Sequence, residues 1–500
     1  MDAVVALDAG TTSVRALAFG PDLEELASAG RPLHQGYPRP GEVEHDAAEI
    51  AAAAVSVLEE VAGALAAARH TPIAVGLTNQ RETTVAFDRQ RPDPLGPAIV
   101  WQDRRTAGRC AQLRAQGLED QVRATTGLVL DPYFSATKMA WLVEDGRLDQ
   151  AETPALATVD TWLVWWLTGG PAGGVYATEP SNASRTALLD LATRDWSSPM
   201  AELFSVPLDL LAPVGPSGRV VGYVDRSVVP ALGGVPIAAV LGDQQAALFG
   251  HAGYRPGMAK ATYGTGAFVV ANAGAVLPPP IPGLLTTIAW DLGPMGGATS
   301  ALEGSAFVAG AAVEWMADGL GLLDSPAALE PLAATVPDAG GVRFIPALAG
   351  LGSPYWRPDV RGAVTGVDAT TTRAHLARAV IDALAFQVRA ITDAFAGAGL
   401  GLADLRIDGG VARMDLLAQL QATLCQVPVS RGPATEATAR GVAALAGLVT
   451  GVWGSLDELS LHWSATQTFA PVDPAEATAA AASYDAWRRS VDRLLGPARP

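Results

Sequence analysis

A short turn of small polar residues and glycine lies near the start of each half of the 500-residue chain. The first covers residues 8–13 (DAGTTS) after the apolar run 4–7, and the second covers 263–266 (YGTG) before the apolar run 267–270. The flanking runs predict buried strands. Glycine allows close backbone approach to a phosphate, and threonine and serine add hydroxyl groups. The pair indicates a phosphate held between two halves, although each turn alone also fits an ordinary hairpin.

Composition limits the partners of the chain. Its formal net charge of -17 argues against nucleic acid and against an anionic membrane surface as partners. The overall negative charge opposes the binding of a phosphate ligand. Such a ligand would therefore have to be held by local dipoles, a few arginines and Mg²⁺. The longest uncharged stretch, 261–290, contains several prolines and glycines, so we expect no membrane insertion there.

The two cysteines, Cys110 and Cys425, are far apart and belong to no CxxC or histidine pattern. This argues against a disulfide framework and a zinc site, and it favours a reducing, cytoplasmic location. The acidic start of the chain also lacks the pattern of a secretory or transit peptide.

Strand and helix patterns alternate in both halves, which predicts an α/β fold. A glycine- and proline-containing segment at 250–257 predicts a hinge, with domains at 1–250 and 251–500. Asp46 is the expected N-cap of the first long helix, with Glu49 as its reciprocal partner. The other predicted elements include strands near 41–44, 73–78, 83–88, 237–241, 259–263, 266–271 and 405–408, and helices at 305–316, 372–395 and 474–494.

Two polar clusters are candidates for chemistry. Arg81 and Glu82 are adjacent at a predicted strand end, where an arginine and a carboxylate can donate to and accept from neighbouring hydroxyl groups. The alternative is a surface ion pair beside a hairpin. Asp243 follows an apolar strand and begins a helix, so it is either an N-cap or a general base at the carboxyl edge of the sheet.

Three aromatic residues, Trp101, Tyr133 and Phe268, are further candidates, and each is either a ligand wall or a core or loop anchor. The chain contains no Walker P-loop, no GxGxxG and no Ser-His-Asp pattern, and its six histidines show no metal spacing. Zinc hydrolases and dinucleotide oxidoreductases therefore lose support.

Taken in order, these residues resemble the FGGY family of carbohydrate kinases, and in particular its members that phosphorylate glycerol, over residues 4–494. The matching segments are 7–13 (LDAGTTS), 78–84 (TNQRETT), 99–102 (IVWQ), 131–135 (DPYFS), 182–186 (NASRT), 242–250 (GDQQAALFG), 262–266 (TYGTG), 283–287 (GLLTT) and 408–410 (DGG). Short turns are common, but this ordered set is not.

The resemblance implies two actin-like (ribonuclease H-like) α/β domains flanking a deep catalytic cleft, with MgATP bound above glycerol. It also implies a homo-oligomer, either a dimer or a tetramer. Asp243 is then the general base, and Asp8 and Asp243 hold Mg²⁺. The implied glycerol-binding residues are Arg81, Glu82, Trp101, Tyr133, Asp243, Gln244 and Phe268. The implied nucleotide-binding residues are Thr11, Thr12, Ser13, Arg15, Thr265, Gly310, Glu314, Gly410 and Met414.

The chain departs from the family pattern near the adenine. Met414 replaces a common asparagine, Arg413 is unusual, and Glu314 replaces a common glutamine. Glutamate accepts a hydrogen bond but cannot donate one to a ring nitrogen, so we expect altered base selectivity with an intact triol site. The loop 231–236 (ALGGVP) also lacks the arginine of members inhibited by fructose 1,6-bisphosphate, so we expect no strong inhibition by that compound.

Three alternatives remain open on the sequence. The chain could be an FGGY kinase for a tetritol, ketopentose or gluconate, which only the Arg81, Glu82, Trp101 and Tyr133 set argues against. It could be an actin- or Hsp70-like nucleotide-gated module, although such a module would not need Arg81 and Glu82 together with Asp243. The changes at Glu314 and Met414 leave room for a catalytically inactive binding protein.

Overall fold

The computed structural model describes residues 1–432 and 436–496, so residues 433–435 and 497–500 of the predicted second domain lie outside it. The strands of the first half are β1 (Asp2–Ala9), β2 (Ser13–Phe19), β3 (Glu25–Pro32), β4 (Glu44–His45), β5 (Thr71–Asn79), β6 (Thr84–Asp88), β7 (Ala98–Ile99), β8 (Pro154–Thr158), β9 (Leu189–Asp190), β10 (Asp195–Trp196), β11 (Gly218–Tyr223) and β12 (Pro236–Gly242). Those of the second half are β13 (Met258–Tyr263), β14 (Ala267–Gly274), β15 (Leu285–Asp291), β16 (Ala298–Ala306), β17 (Arg343–Ile345), β18 (Ala363–Thr365), β19 (Asp404–Asp408), β20 (Val429–Arg431) and β21 (Gln467–Phe469).

Helices occur in both halves. Those of the first half are α1 (Ala47–Ala67), α2 (Ala107–Ala115), α3 (Glu119–Thr126), α4 (Ser135–Glu144), α5 (Val159–Leu167), α6 (Pro180–Ala183), α7 (Ser198–Phe204) and α8 (Asp243–Gly250). Those of the second half are α9 (Gly310–Glu314), α10 (Leu329–Ala333), α11 (Arg373–Gly397), α12 (Asp415–Cys425), α13 (Ala437–Thr450), α14 (Leu456–Leu461) and α15 (Pro474–Leu495).

Two large sheets share one strand arrangement. The first has the order β11-β12-β5-β1-β2-β3, and the second has the order β15-β16-β14-β13-β19-β20-β21. In each, an antiparallel unit (β1-β2-β3 or β13-β14-β16) is joined through its first strand to parallel neighbours (β5 and β12, or β19 and β20). The predicted α/β class with two ribonuclease H-like units is confirmed.

The helix α1 covers one face of the first sheet. Asp46 caps it by accepting a hydrogen bond from the Ala48 backbone at 2.8 Å, as predicted. Among the described residues, α1 alone is long and apolar enough to cross a membrane, but half of its most apolar stretch is buried inside the protein. Trp162 of α5 packs in the same core and donates its indole hydrogen bond to the Ala47 carbonyl at 2.8 Å. This burial is that of a core helix.

The opposite face of the first sheet is covered by α13, which comes from the second half of the chain. The backbone of Val442 lies so close to β5 that a Cβ on Gly76 would come within 2.4 Å of its carbonyl oxygen. α13 also packs closely on α8, where a Cβ on Gly441 would meet the Ala246 carbonyl at 1.8 Å. A shared apolar core results, with side chains from both halves of the chain.

Three local predictions were wrong. The helix expected at 305–316 begins only at Gly310 with α9 and continues as a π-helical segment (Trp315–Gly319), because Ser305 and Ala306 belong to β16, where Ser305 pairs with Phe268 of β14. The strand expected near 41–44 is the two-residue β4. Glu49 accepts a hydrogen bond from the His34 backbone at 3.1 Å instead of completing the cap of α1.

Candidate active site

Both glycine-threonine turns are hairpin loops, one joining β1 to β2 and the other joining β13 to β14. The backbone of each loop is closed by its own hydrogen bond, from Gly10 to the Ser13 carbonyl at 3.0 Å and from Gly264 to the Gly266 carbonyl at 2.9 Å. The hairpin interpretation is therefore correct for both. Glycine is required at Gly266, where a Cβ would lie 2.6 Å from the Ala306 carbonyl.

A buried network of four charged groups lies beside the end of β5. Arg81 forms a bidentate ion pair with Glu303, in which Nη1 donates to Oε2 at 2.7 Å and Nη2 donates to Oε1 at 3.0 Å. Arg185 donates to Glu82 at 2.6 Å and to Glu303 at 3.2 Å. All four side chains are buried. Burial alone would raise the pKa of Glu303, but the nearby Arg185, Arg81 and Lys260 outweigh it and lower that pKa to about 2.

The alternative of a surface ion pair for Arg81 and Glu82 is wrong. Both residues are buried, and Arg81 Nε is 3.9 Å from Glu82 Oε1, which is too long for a hydrogen bond. Burial raises the pKa of Glu82, although both arginines oppose the shift. Glu82 has a φ of 60°, a left-handed conformation that is uncommon for a non-glycine residue and turns the chain sharply after β5.

Asp243 lies at the carboxyl end of β12, as the first residue of α8. The N-cap position is occupied by Gly242, so the N-cap interpretation of Asp243 is wrong. Asp243 Oδ1 is 3.2 Å from Arg81 Nε and accepts a hydrogen bond from the Gln244 backbone at 2.7 Å. The Asp243 side chain is 29% exposed, so it is positioned by Arg81 and still accessible to a ligand.

A second carboxylate faces Asp243 from the neighbouring part of the same sheet edge. Asp8 of β1 pairs in register with Thr78 of β5, and Leu241 of β12 pairs with Thr78 from the other side. Burial, followed by the charge of Asp243, raises the pKa of Asp8 to about 7. Asp8 and Asp243 therefore offer two carboxylates at one edge of the sheet, and carboxylate oxygens are ligands that a divalent cation takes. The described residues contain no group of three or more histidine, cysteine, aspartate or glutamate side chains suited to a metal.

Aromatic rings line one side of the charged network. The rings of Trp101 and Tyr133 meet edge to face, with centroids 5.3 Å apart. Trp101 Nε1 donates a hydrogen bond to Thr11 Oγ1 at 3.0 Å, which joins this wall to the first hairpin loop. Lys138 supports the wall from behind, through the carbonyls of Tyr133 at 2.9 Å and Trp101 at 3.3 Å. Phe268 is half-buried on β14.

A cavity of about 500 Å³ lies in the second half of the chain. It brings together five residues of the predicted nucleotide set, namely Thr265, Gly310, Glu314, Gly410 and Met414. Its walls also include Arg413, the residue that is unusual near the expected adenine position, and Glu330, which the sequence analysis did not name. The loops approach closely here, because a Cβ on Gly310 would lie 2.7 Å from the Gly264 carbonyl.

The other four predicted nucleotide residues lie on the first hairpin and outside this cavity. Thr12 is exposed, while Thr11 and Ser13 are half-buried. Arg15 is exposed, and its guanidinium pairs with Glu436 of the second half at 2.6 Å. In this structure, Arg15 therefore bridges the two halves of the chain.

Comparison with known families identifies the chain. The N-terminal domain of the FGGY family of carbohydrate kinases matches residues 3–250, and the C-terminal domain of the same family matches residues 259–449. The chain belongs to the FGGY carbohydrate kinases. The predicted family resemblance and two-domain fold are thus confirmed.

Within the FGGY family, relatives of nearly equal length include proteins named as glycerol kinases. One from Bordetella parapertussis is 46% identical over 99% of this chain and 98% of its own length. One from Trichlorobacter lovleyi is 47% identical over 100% of both chains. A solved structure of Plasmodium falciparum glycerol kinase with ADP is 31% identical, with a TM-score of 0.91 over 99% of each chain.

The sequence analysis did not name three residues of this candidate site as individual candidates. Arg185 belongs to the matching segment 182–186, but nothing in that segment indicates its partners. Glu303 lies in the middle of β16 with no polar neighbour to mark it. Lys260 is fully buried on β13, where burial lowers its pKa to about 8 against the opposing charges of Asp408 and Asp243. Arg185 and Glu303 pair with residues distant in sequence, and Lys260 contacts Gln244 of the first half, so no local pattern could reveal these contacts.

Proposed function

We propose that this FGGY kinase transfers the γ-phosphoryl group of ATP to glycerol and releases sn-glycerol 3-phosphate. The observation that carries the proposal is the buried network of Arg81, Glu82, Arg185 and Glu303 beside the accessible carboxylate of Asp243. A small polyol needs several fixed donors and acceptors next to one general base, and this arrangement offers them. The full-length relatives named as glycerol kinases support the same substrate.

The proposed acceptor site recognises hydroxyl groups by hydrogen bonds and the carbon chain by aromatic contact. Arg81 and Glu82 are its polar ends, and Trp101, Tyr133 and Phe268 are its walls. Arg185 Nη1 supports this arrangement, because it is buried and has no hydrogen-bond partner among the described residues. A substrate that lacks a hydroxyl group would leave such a buried charge unsatisfied, which gives strong discrimination.

In the proposed mechanism, Asp243 accepts the proton of the terminal hydroxyl group as that oxygen attacks the γ-phosphorus. The bond between the γ-phosphorus and the bridging oxygen of ATP breaks, and ADP leaves. Arg81 holds the Asp243 carboxylate at 3.2 Å and keeps it oriented. Asp8 and Asp243 are the residues that would hold Mg²⁺, which supplies charge neutralisation for the phosphates when it is bound. Since phosphoryl transfer needs little covalent help from the protein, the main contribution of the chain is to position the reactants and exclude water.

The nucleotide is proposed to occupy the 500 Å³ cavity and to extend towards the first hairpin. Gly310, Glu314, Gly410 and Met414 would then surround the base and sugar. Thr11, Thr12, Ser13, Arg15 and Thr265 would contact the phosphates. We further propose domains at 1–250 and 251–500, a cytoplasmic location and a dimer or tetramer. The location is supported by two free cysteines.

The purified chain tests this function when it is assayed for ADP release with a panel of glycerol, a tetritol, a ketopentose and gluconate. Glycerol is expected to have the highest kcat/KM. The Asp243→Asn variant is expected to retain glycerol binding and to lose about 10²- to 10⁴-fold in kcat, the range for general-base catalysis. Preference for another polyol would reassign the substrate, and unchanged turnover in Asp243→Asn would exclude the assigned base.

A further inference from the structure

Gln244, next to the proposed base, is held by a lysine from the other sheet. Lys260 Nζ donates hydrogen bonds to Gln244 Oε1 and to Thr262 Oγ1, the latter at 2.8 Å. Lys260 and Thr262 are two residues apart on β13 and therefore point to the same face of the strand. Gln244 lies in the first turn of α8, so this contact crosses between the two halves of the chain.

The chemistry of this contact fixes the orientation of the Gln244 amide. A lysine ammonium has three donors and no acceptor, so only the amide oxygen can face it. The amide nitrogen must then point away from Lys260. Gln244 Nε2 makes no hydrogen bond with any of the described residues. The reverse orientation would place an N–H donor against the ammonium and is excluded.

Lys260 itself has little freedom to move. Its side chain is fully buried, and Asp408, Asp243 and Glu303 surround it with negative charge, whereas Arg81 is the positive group nearby. Asp408 is in turn hydrogen-bonded to His251, with 2.5 Å between Nε2 and Oδ2. A buried side chain fixed by several partners is a precise support for a neighbouring polar group.

We propose that Lys260 is a positioning residue that orients the Gln244 amide so that its N–H₂ group donates to a hydroxyl oxygen of the bound polyol. This inference rests on the proposed function, since it names a determinant of acceptor binding at the same site. Lys260 contacts neither the polyol nor the phosphates and acts through Gln244.

A double-mutant cycle of Lys260→Met and Gln244→Leu tests the proposal. Calorimetry measures the Kd for glycerol, and ADP release measures the KM for glycerol and the KM for MgATP. Gln244→Leu is expected to weaken glycerol binding about tenfold, the equivalent of one hydrogen bond. Lys260→Met is expected to weaken it about three- to tenfold, and the double variant no more than Gln244→Leu alone. The KM for MgATP is expected to change less than twofold.

The matched control removes the other fully buried lysine. Lys138→Met deletes an ammonium group whose hydrogen bonds, among the described residues, go to the carbonyls of Trp101 and Tyr133. Its effect on the glycerol Kd, whatever its size, is expected to add to that of Gln244→Leu, because the two groups are not in contact. The proposal would be overturned if the effects of Lys260→Met and Gln244→Leu on the glycerol Kd were also additive. It would likewise be overturned if Lys260→Met changed the KM for MgATP more than the KM for glycerol.

Gln244→Glu decides the question if Lys260→Met does not fold. Its carboxylate keeps an acceptor for Lys260 but removes the N–H donors, so we expect a folded protein with glycerol binding as weak as in Gln244→Leu. Wild-type affinity in Gln244→Glu would overturn the proposal. If the wild-type chain binds glycerol without phosphorylating it, the proposed function alone is refuted. If the cycle of Lys260→Met and Gln244→Leu is additive, this inference alone is refuted. If the chain binds no glycerol, both are refuted.

Discussion

Arg185 Nε lies 2.6 Å from Glu82 Oε1, although the two residues are 103 positions apart. Both side chains are buried, and Arg185 also reaches Glu303 at 3.2 Å. A buried charge is stable only when its partners are present, so each member of this network depends on the others. The residues of the proposed acceptor site therefore also contribute to the stability of the protein.

Replacing Arg185 with methionine is expected to lower the free energy of unfolding by about 3–5 kcal/mol, because Glu82 keeps a buried charge with one partner fewer. Denaturant unfolding measures this change. Arg194→Met is the matched control, since Arg194 is 45% exposed and 3.8 Å from Asp291. It should change stability by less than about 1 kcal/mol. Equal effects of the two substitutions would contradict the importance of the buried network.

Glu303 should make the protein sensitive to acid. Its pKa is lowered from the ordinary 4.5 to about 2 in the folded state. A carboxyl group with a lowered pKa stabilises the fold fully above pH 4.5 and loses this contribution as the pH falls towards 2. The stability difference between wild type and Glu303→Gln is therefore expected to shrink as the pH falls through this window. Thermal unfolding from pH 7 to pH 3 would detect it, and a constant difference would count against the assigned pKa.

The hydrogen bond from Trp101 to Thr11 predicts that the donor and acceptor sites are coupled. Thr11→Val keeps the size of the side chain but removes the acceptor at 3.0 Å from the indole nitrogen. We expect a several-fold increase in the KM for glycerol in addition to that for MgATP. Thr11→Ser retains the hydroxyl group and should restore the glycerol KM. An effect of Thr11→Val on MgATP alone would show that the ring is held by other contacts.

Base selectivity is expected to be weak. Glu314 and Met414 line the proposed nucleotide cavity and have no amide donor in their side chains, so ATP and GTP should support comparable turnover. Glu314→Gln combined with Met414→Asn should raise the preference for ATP. The kcat/KM ratio for the two nucleotides measures both effects, and a strict preference of the wild type for ATP would contradict the expectation.

Fructose 1,6-bisphosphate is expected not to inhibit strongly. The loop around Gly233 and Gly234 carries no arginine of its own, and a bisphosphate requires a fork of donors. Initial rates at increasing inhibitor concentration provide the measurement, and inhibition at low concentration would require another anion site.

The local signals in the sequence predicted the local structure well. Asp46 caps α1 as expected, since its acceptor and the helix amide are two residues apart. The same signals failed for Ser305, where small residues that favour a helix are held in β16 by pairing with Phe268. Neighbour patterns carry no information about such tertiary contacts.

The contacts within the candidate site were not visible in the sequence, because they too are tertiary. Arg81 and Glu82 were found because they are adjacent, but their closest partners proved to be Glu303 and Arg185. Lys260 lies in an ordinary strand pattern, and only the packing of α8 against β13 brings it to Gln244. Residues that work through contacts across the cleft need the assembled fold to be recognised.

The position of α13 has a consequence for dividing this protein into fragments. The helix is encoded after residue 436, yet it covers the apolar face of the sheet formed by the first half. A fragment ending at residue 250 would expose that face to water and would be expected to aggregate. A split reporter or a domain exchange built on this protein should therefore transfer α13 together with the first half, whatever boundary the linear sequence indicates.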